Sequence, residues 1–380
     1  MSRRSAAAPI SLALSSETRA PRTSSTSRAS RPRDLAYSKD PMGVLPSEGY
    51  PAGPNLIPGE ELFAYLHSRP GALANDNIFI SNKNNWIFST APRVPCLVRN
   101  RPGATNYYRK HIGDAMEISI EVDLDATLGC GQAHRWKKDG GVWRGVLGND
   151  KVELVQREGG FGCEGCGEER IKRYFRSEDD LPAIMEEISG KDAYIAGLAA
   201  SCPGLRILRQ DVWECAATYI LATNANVKRI AKMVGSVCVM FGTDLGGAHS
   251  FPTPGQILDG CGSIGECRLG YREGRFVEFA EKVENGTYDL ASLEGLDYEG
   301  CVKELKKING IGPKVADCVA VFAYGHLEAF PVDARISRSM REVYGVEGSY
   351  EEVSSAGRRI FGRYAGYAQE LLYHSLSIIL

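Results

Sequence analysis

Residues 116–156 alternate between apolar and polar side chains, and this pattern predicts the strands of a small sheet. In the segment MEISIEVDL the two kinds of side chain follow one another with a period of two. The segment GVWRGVLGNDKVELVQ, residues 141–156, predicts two strands around a Gly-Asn-Asp turn. We therefore expect an antiparallel sheet region that ends near residue 175.

Beyond residue 175 the apolar positions recur every three or four residues, which is the spacing of helices. The segments that carry such a stripe are residues 177–188, 211–242, 265–283, 298–325 and 366–380. The second of them predicts two helices separated near Thr223 and Asn224. The fourth predicts two helices joined by a tight turn.

The N-terminal part of the chain divides into a tail and an extension. Residues 1–57 include ETRAPRTSSTSRASRPR, which buries too little apolar surface to offset its ordering entropy, so we expect a disordered tail. An organellar transit peptide is one alternative, because such peptides are rich in Arg and Ser and poor in acids. An over-extended gene start is another. Residues 58–114 contain a helix-like segment, GEELFAYLHS, and strand-like pieces such as NNWIFST, without a functional signal.

These patterns predict an α+β protein. We expect an antiparallel sheet domain over residues 115–205 and a helical region over residues 206–380, with the helix pair at about 298–325. Of the 380 residues, 43% are hydrophobic and 24% are charged, as in a globular protein with a full core. No apolar run approaches the ~20 residues that span a bilayer, so no membrane partner is expected.

Charge and cysteine content narrow the function. The net charge of −2 does not indicate a polyanion partner, so any nucleic-acid surface has to be local. Eleven cysteines, an odd number, are scattered along the chain, which is typical of a reducing, intracellular compartment. Cys163 and Cys166 resemble half a zinc site, but a second pair with suitable spacing is missing. We expect a turn between strands there and no metal.

The turn within the helix pair reads Asn-Gly-Ile-Gly-Pro. Gly310 and Gly312 allow backbone angles that are closed to other residues, and Pro313 suits the first position of the second helix. The free N–H groups of such a helix start form an anion site, which a phosphate can approach closely. The pattern favours a helix-hairpin-helix motif that binds the nucleic-acid backbone without sequence preference. On the turn alone, a plain helical corner remains the alternative.

Lys314 and Asp333 add chemistry to this turn. An ordinary lysine has a pKa near 10.4 and only the neutral amine is a nucleophile, so we expect the helix start and partial burial to lower the pKa of Lys314. Asp333 is placed to cap the next helix and to stay ionised. Such a pair suits displacement at a sugar carbon: the carboxylate stabilises an oxocarbenium-like centre and the amine forms a Schiff base. Taken singly, the two residues are a surface lysine and a helix cap.

The segments GIGPKVADC (310–318) and FPVD (330–333) resemble the 8-oxoguanine DNA glycosylase family of the helix-hairpin-helix superfamily. Supporting segments follow in the order of the family: GCGQAHRW, LRILRQDVWEC, TNANVKRIAKM, GYREGRFV and YAGYAQELLY. The resemblance extends from about residue 115 to the C-terminus. It implies a TATA-binding-protein-like sheet domain and two helical domains with the lesion pocket between them. It also implies that Lys314 is the Schiff-base nucleophile and Asp333 the catalytic carboxylate.

The same resemblance implies the residues that hold the damaged base. Gly131 would offer its carbonyl to the N7–H of 8-oxoguanine, a hydrogen bond that normal guanine cannot make. Gln369 would bind the Watson–Crick edge of the extruded base. Cys318 and Tyr373 would lie on either side of its rings.

Further matches imply contacts to DNA. Asn224, Arg229 and Arg272 match positions that read the orphaned cytosine, and Tyr271 matches the wedge that fills the gap in the duplex. Gly310 and Gly312 would hold the backbone. Arg335 stands where a phosphate-contacting histidine is usual, and the sequence also differs from the family at three other positions: Ala133, His134 and Ala225. Tyr373 replaces a phenylalanine.

The resemblance implies a base-excision-repair glycosylase with AP lyase activity that excises 8-oxoguanine, preferably opposite cytosine, and cleaves the strand by β-elimination. It would act as a monomer on damaged double-stranded DNA, and no cofactor is expected because the nucleophile is its own amine. A superfamily glycosylase for another damaged base is one alternative. A non-catalytic DNA-binding protein is another, although it would not need the Lys314–Asp333 pair. We expect a nuclear or also mitochondrial location in a eukaryote, and the cytoplasm or nucleoid in a prokaryote.

Overall fold

The structure is a computed structural model that describes residues 115–378 and three short strands before them. These strands, β1 (Asn55–Pro58), β2 (Asn77–Ser81) and β3 (Asn85–Ser89), form an antiparallel sheet in the order β1-β3-β2. The strand expected in NNWIFST is therefore confirmed as β3. β1 begins within the predicted tail. The disordered tail, the transit peptide and the GEELFAYLHS helix otherwise fall outside the described residues.

A second antiparallel sheet follows, in the strand order β4-β8-β7-β6-β5. Its strands are β4 (Met116–Ser119), β5 (Lys137–Asp139), β6 (Val142–Leu147), β7 (Asp150–Arg157) and β8 (Gly160–Glu164). The three predicted strands are confirmed, and β6 and β7 are joined at Gly148 and Asn149. β4 is shorter than its alternating pattern because Asp123 caps helix α1 (Leu124–Gly129), accepting a hydrogen bond from the N–H of Ala126 at 2.9 Å.

The rest of the described chain is helical. The helices after α1 are α2 (Glu168–Tyr174), α3 (Leu181–Ser189), α4 (Ala193–Ser201), α5 (Val212–Ala222), α6 (Val227–Phe241), α7 (Pro254–Asp259), α8 (Glu273–Glu284), α9 (Tyr298–Leu305), α10 (Pro313–Val319), α11 (Ala334–Tyr344), α12 (Tyr350–Phe361) and α13 (Ala365–Ile378). The predicted break near Thr223 and Asn224 separates α5 from α6. The predicted pair over residues 298–325 is α9 and α10, and α10 continues as a short π-helical segment, Ala320–Tyr324.

One predicted helix is partly wrong. Residues 265–283 were expected to form a single helix, but α8 begins only at Glu273. Before it lie two 3₁₀ turns, Cys261–Cys267 and Gly270–Arg272. Arg268, with φ 55°, and Gly270, with φ 65°, take left-handed backbone angles that interrupt a right-handed helix.

Two hydrophobic cores support the fold, and together they confirm the α+β class. The sheet packs α1 and α2 around buried side chains such as Ile118, Leu154 and Phe161. A larger helical core takes in α3 and α4 with all the later helices, although these two precede the predicted domain boundary at residue 205. The boundary itself stays a prediction.

Asp317 fixes the helix that carries Lys314. It is 2% exposed, yet three hydroxyl groups surround its carboxylate. Tyr298 Oη donates to Oδ1 at 2.6 Å, Tyr350 Oη donates to Oδ2, and Ser354 Oγ lies 3.2 Å from Oδ2. These donors belong to α9 and α12, so one buried acid ties α10 to a helix on either side of it.

We expect Asp317→Leu to lower the free energy of unfolding by about 3–5 kcal/mol, because it leaves buried hydroxyl groups without an acceptor. Tyr350→Phe removes a single donor and should lower it by about 1 kcal/mol. Urea unfolding followed by circular dichroism measures both changes. An Asp317→Leu variant as stable as the native protein would show that the acid does not hold the three helices.

Candidate active site

The loop after α1 is pinned by the side chain of Gln132. This side chain is 3% exposed, and its Nε2 donates to the carbonyls of Thr127 and Arg206, both at 2.9 Å. Its Oε1 accepts a hydrogen bond from the N–H of Leu208 at 2.8 Å. Both polar atoms of the side-chain amide are thus hydrogen-bonded to backbone groups, and these bonds fix the segment that contains Gly131.

Gly131 turns this loop towards the C-terminal helix. Its φ of +97° lies in the left-handed region that favours glycine. A Cβ at this position would lie 3.5 Å from Val227 Cγ2 and 4.0 Å from Tyr373 Cε1, which are ordinary contacts. The backbone angle therefore requires glycine, and it brings residue 131 beside the Tyr373 ring of α13.

The predicted hairpin between α9 and α10 is present. Gly310 has a φ of +97°, and a Cβ there would lie 3.0 Å from Arg275 Cδ. Gly312 is the N-cap of α10 and has no atom within 4 Å of the place where a Cβ would stand, so its outer face is open. Pro313 occupies the first turn as expected. This arrangement can accept a phosphate against the hairpin backbone.

The amine of Lys314 lies deep among protein atoms, although part of the side chain remains accessible. Its Nζ is 5.1 Å from the centroid of the Tyr219 ring, a cation–π distance. Tyr219 is buried and stacks on Phe322 with ring centroids 5.8 Å apart. Its hydroxyl donates to the carbonyl of Gln132 at 3.2 Å. A single tyrosine on α5 therefore joins the hairpin lysine to the Gly131 loop.

The pKa of Lys314 is raised, so the expected lowering is wrong. Burial acts to lower this pKa, but Cys318, Asp333 and Tyr373 together outweigh it. Burial also raises the pKa of Cys318 to about 11, so this side chain is a thiol at neutral pH. The helix start and burial favour a lower pKa, but the hydrogen bond with Cys318 and the charge of Asp333 act in the opposite direction with the larger effect. The lysine is held as an ammonium ion and has to lose a proton before it can attack.

Asp333 caps α11, as predicted. One of its oxygens, Oδ1, accepts hydrogen bonds from the N–H groups of Arg335 and Ile336, both at 2.9 Å. Backbone donors of this kind fix the position of the carboxylate. The guanidinium of Arg335, two residues after Asp333, lies 5.5 Å from the centroid of the Tyr373 ring. Five predicted site residues, namely Lys314, Cys318, Asp333, Arg335 and Tyr373, are therefore brought together.

Tyr271 projects from a neighbouring surface and is 54% exposed. Its hydroxyl donates to the carbonyl of Thr223 at 3.1 Å and accepts from Asn224 Nδ2 at 3.2 Å. Asn224 has a φ of 50°, a left-handed angle that asparagine tolerates better than most residues. The exposed ring is thus held rigidly at the junction between α5 and α6, in a position suited to a wedge.

Arg272 is placed differently from the other predicted DNA contacts. It is 2% exposed and donates to the carbonyls of Thr223, Leu269 and Asn224. In this structure it therefore shapes the loop that carries Tyr271. Arg229, in the first turn of α6, is exposed. The cytosine-reading roles of these residues stay predictions, as does the role of Gln369, which is 4% exposed on α13.

Sequence reasoning missed two groups of the site, Tyr219 and Glu370, and treated His134 only as a difference from the family. Tyr219 lies in an apolar stripe and carries no signal. Glu370 does carry one, because it is an acid within the apolar helix segment YAQELLY. His134 lies against Tyr219, with ring centroids 5.9 Å apart. Neither of its ring nitrogens has a hydrogen-bond partner within the described residues.

The described part of the chain shows no sign of a metal site or of a membrane span. Among these residues no group of three or more His, Cys, Asp or Glu side chains could hold a metal ion. Cys163 lies in β8, and the turn that carries Cys166 follows directly, with Gly165 at a φ of +84°. No helix within this part is long and apolar enough to cross a membrane.

Comparison with known proteins gives consistent matches. Residues 116–216 match the N-terminal domain of 8-oxoguanine DNA glycosylase. The chain is 30% identical over 285 residues to the N-glycosylase/DNA lyase OGG1 of Arabidopsis thaliana, which covers 67% of this chain and 77% of that protein. It is 28% identical over 268 residues to the N-glycosylase/DNA lyase of Saccharomyces cerevisiae, covering 59% and 70%.

The fold is similar to that of a solved relative. This is the 8-oxoguanine glycosylase/lyase of Clostridium acetobutylicum in complex with double-stranded DNA containing cytosine opposite 8-oxoguanine. The TM-score is 0.66 at 26% sequence identity, and the superposition covers 70% of this chain and 97% of that one.

We expect His134→Phe to change how stability depends on pH. Burial, with a further effect of Lys314, lowers the pKa of His134 to about 4 from 6.5. Between these values the unfolded chain binds a proton that the folded chain does not, so the native protein loses stability as pH falls through this window. The loss approaches about 3 kcal/mol.

The phenylalanine variant lacks this proton, so its stability relative to the native protein should increase from pH 6.5 to pH 4. It should also be more stable at neutral pH by about 1 kcal/mol, because two buried nitrogens without partners are removed. Urea unfolding at several pH values measures both effects. A constant difference between the two proteins across this range would contradict the assigned pKa.

Proposed function

Because the chain belongs to the 8-oxoguanine DNA glycosylase family, we propose that it excises 8-oxoguanine from DNA with Lys314 as the nucleophile and Asp333 as the catalytic carboxylate. The protein is a bifunctional N-glycosylase and DNA lyase of base-excision repair that acts on 8-oxoguanine opposite cytosine. The observation that carries the residue assignment is the meeting of the Lys314 amine, the Asp333 carboxylate and the Tyr373 ring in one cluster of partly buried residues.

The reaction begins when DNA binds across the hairpin and the Tyr271 wedge. A backbone phosphate is held against Gly310 and Gly312, and the open space at Gly312 supports this role. Tyr271 fills the space that the extruded nucleotide leaves, and Arg229 with Asn224 contacts the orphaned cytosine. Arg335, in the first turn of α11, contacts a phosphate of the damaged strand.

The extruded base is read by groups on either side of it. The carbonyl of Gly131 accepts a hydrogen bond from N7–H, which guanine lacks. Gln369 binds the Watson–Crick edge, and Cys318 and Tyr373 lie on the two faces of the rings. The proximity of Gly131 and Tyr373 in the structure supports this arrangement.

The chemistry follows from the lysine and the aspartate. The neutral amine of Lys314 attacks C1′ while the C1′–N9 bond breaks and its electron pair leaves with the base. Asp333 stabilises the oxocarbenium-like sugar. Opening of the sugar ring gives a Schiff base, and loss of a C2′ proton then expels the 3′ phosphate by β-elimination.

The unit that performs this work comprises the sheet domain, residues 115–205, and the helical region, residues 206–380. We propose that it acts as a monomer, because the proposed site residues all lie in one chain. Because its substrate is DNA, we propose that the protein is located in the compartments that contain DNA, which are the nucleus or the mitochondrion in a eukaryote.

Borohydride trapping on an 8-oxoguanine:cytosine duplex tests the nucleophile. The native protein should form a covalent complex, and Lys314→Gln should form none, because an amide cannot form the imine. Asp333→Asn should slow trapping by roughly 10²-fold or more, since the developing positive charge loses its counter-charge. Lys306→Gln, at an exposed lysine before the same hairpin, is the matched control and should trap as the native protein does. Trapping by Lys314→Gln would assign the nucleophile elsewhere.

Opposite-base preference tests the contacts to cytosine. The native protein should release 8-oxoguanine faster opposite cytosine than opposite adenine, and Arg229→Ala should reduce this ratio by roughly 10-fold or more. Lys232→Ala, an exposed cation on the same helix, should weaken binding to all duplexes without changing the ratio. Equal release opposite every base by the native protein would refute the cytosine-reading role.

A further inference from the structure

Glu370 is a buried acid that the mechanism above does not use. It lies on α13 directly after Gln369 and is 4% exposed. The side chain of Cys130 is hydrogen-bonded to it, but its second oxygen, Oε2, is buried and has no partner within the described part of the chain. A carboxyl group removed from water without a full set of partners is costly, so its presence needs an explanation.

Helix α13 places Glu370 next to the proposed base pocket. Glu370 and Tyr373 are three residues apart and therefore share one face of α13. Glu370 meets Cys130, while Tyr373 lies beside the next residue, Gly131. The acid is thus placed against the turn whose carbonyl is proposed to read the damaged base.

Glu370 also interacts electrostatically with the proposed reacting groups. Lys314 and Asp333 both act on Glu370 electrostatically, the first lowering and the second raising its pKa. Glu370 in turn acts on Cys318 of α10 and Tyr219 of α5. Cys130 after α1 and Tyr373 of α13 are two further titratable groups that face it. Burial outweighs the lysine, and the pKa of Glu370 is raised to about 7.

The reaction needs a group to take the proton of the Lys314 ammonium. His134 is a poor acceptor, since its pKa is lowered to about 4 by burial and the lysine. Cys318 is a neutral thiol, because burial raises its pKa to about 11. Asp333 has one oxygen committed to the N–H groups of α11. Glu370 has one oxygen without a partner. Its raised pKa also makes its carboxylate a stronger base than that of an ordinary glutamate.

We propose that Glu370 is the proton acceptor for Lys314 in the glycosylase step, acting through an intervening water molecule. The Glu370 carboxylate takes a proton from the ammonium, and the freed amine forms the Nζ–C1′ bond. The C1′–N9 bond breaks with its electron pair on the base, which then takes the proton from Glu370. The ammonium proton ends on the released base, the lysine nitrogen carries the positive charge, and the carboxylate is restored.

This role rests on the proposed function and has a pH signature. Only the carboxylate accepts a proton, so the rate should rise with pH as Glu370 ionises through about pH 7. Single-turnover excision on an 8-oxoguanine:cytosine duplex, from about pH 5.5 to about pH 8.5, should show this acid limb for the native protein. A flat profile over this range in an active native protein would overturn the assignment without any variant. A native protein that neither releases base nor traps would instead overturn the proposed function itself.

Glu370→Gln keeps the shape of the side chain and removes the base. The plateau rate should fall by roughly 10²-fold and the limb near pH 7 should disappear, with duplex affinity unchanged. Trapping on a preformed abasic duplex should slow as well, because the lysine must still lose its proton although no base departs. A variant that keeps the limb, or that traps abasic DNA at the native rate, would overturn the proposal.

Glu214→Gln is the matched control for loss of a buried acid. Glu214 is partly buried, and burial also raises its pKa, but it is paired with Arg135 at 2.9 Å. Its variant should unfold at a lower temperature and keep the acid limb. Loss of the limb in both variants would show that it reports a general effect of removing buried carboxyl groups, and the assignment of Glu370 would fail.

Discussion

The burial of one lysine amine is the constraint on which the rest of the site depends. An ammonium ion taken out of water loses several kcal/mol of solvation unless other groups replace the water. Here the replacements come from separate elements: the Tyr219 ring of α5, Cys318 one turn along α10, and Asp333 at the start of α11. The helices that carry these three groups must therefore pack in one fixed relative position, because the amine can be buried only when all three groups surround it.

The groups that surround this amine are themselves held in place by further hydrogen bonds. Asp317, three residues after Lys314, fixes α10 through hydroxyl groups of α9 and α12. Tyr219 reaches the Gln132 carbonyl, so the same ring that contacts the amine also positions the Gly131 loop. The Gly131 loop and the Lys314 amine are therefore parts of one packed arrangement, and a shift of one would move the other.

Local patterns were enough to predict many elements. The break between α5 and α6, the hairpin at Gly310 and Gly312, and the cap at Asp333 all depend on short-range backbone chemistry. The segment before α8 was mistaken for helix because its apolar spacing is helical, while the left-handed angle at Arg268 has no strong sequence signal.

The sequence by itself determined the family, the α+β class and the residues that can do the chemistry, because spacing along the chain and side-chain type are local properties. Only the tertiary structure decided the state of those residues. Burial would lower the pKa of Lys314, yet Cys318 on the same helix and Asp333 from the next helix raise this pKa instead. The same folding brings Glu370 and His134, which no motif singles out as a pair, within electrostatic range of that amine. Electrostatic interactions depend on distances between segments far apart in the chain, and these distances exist only once the helices have packed.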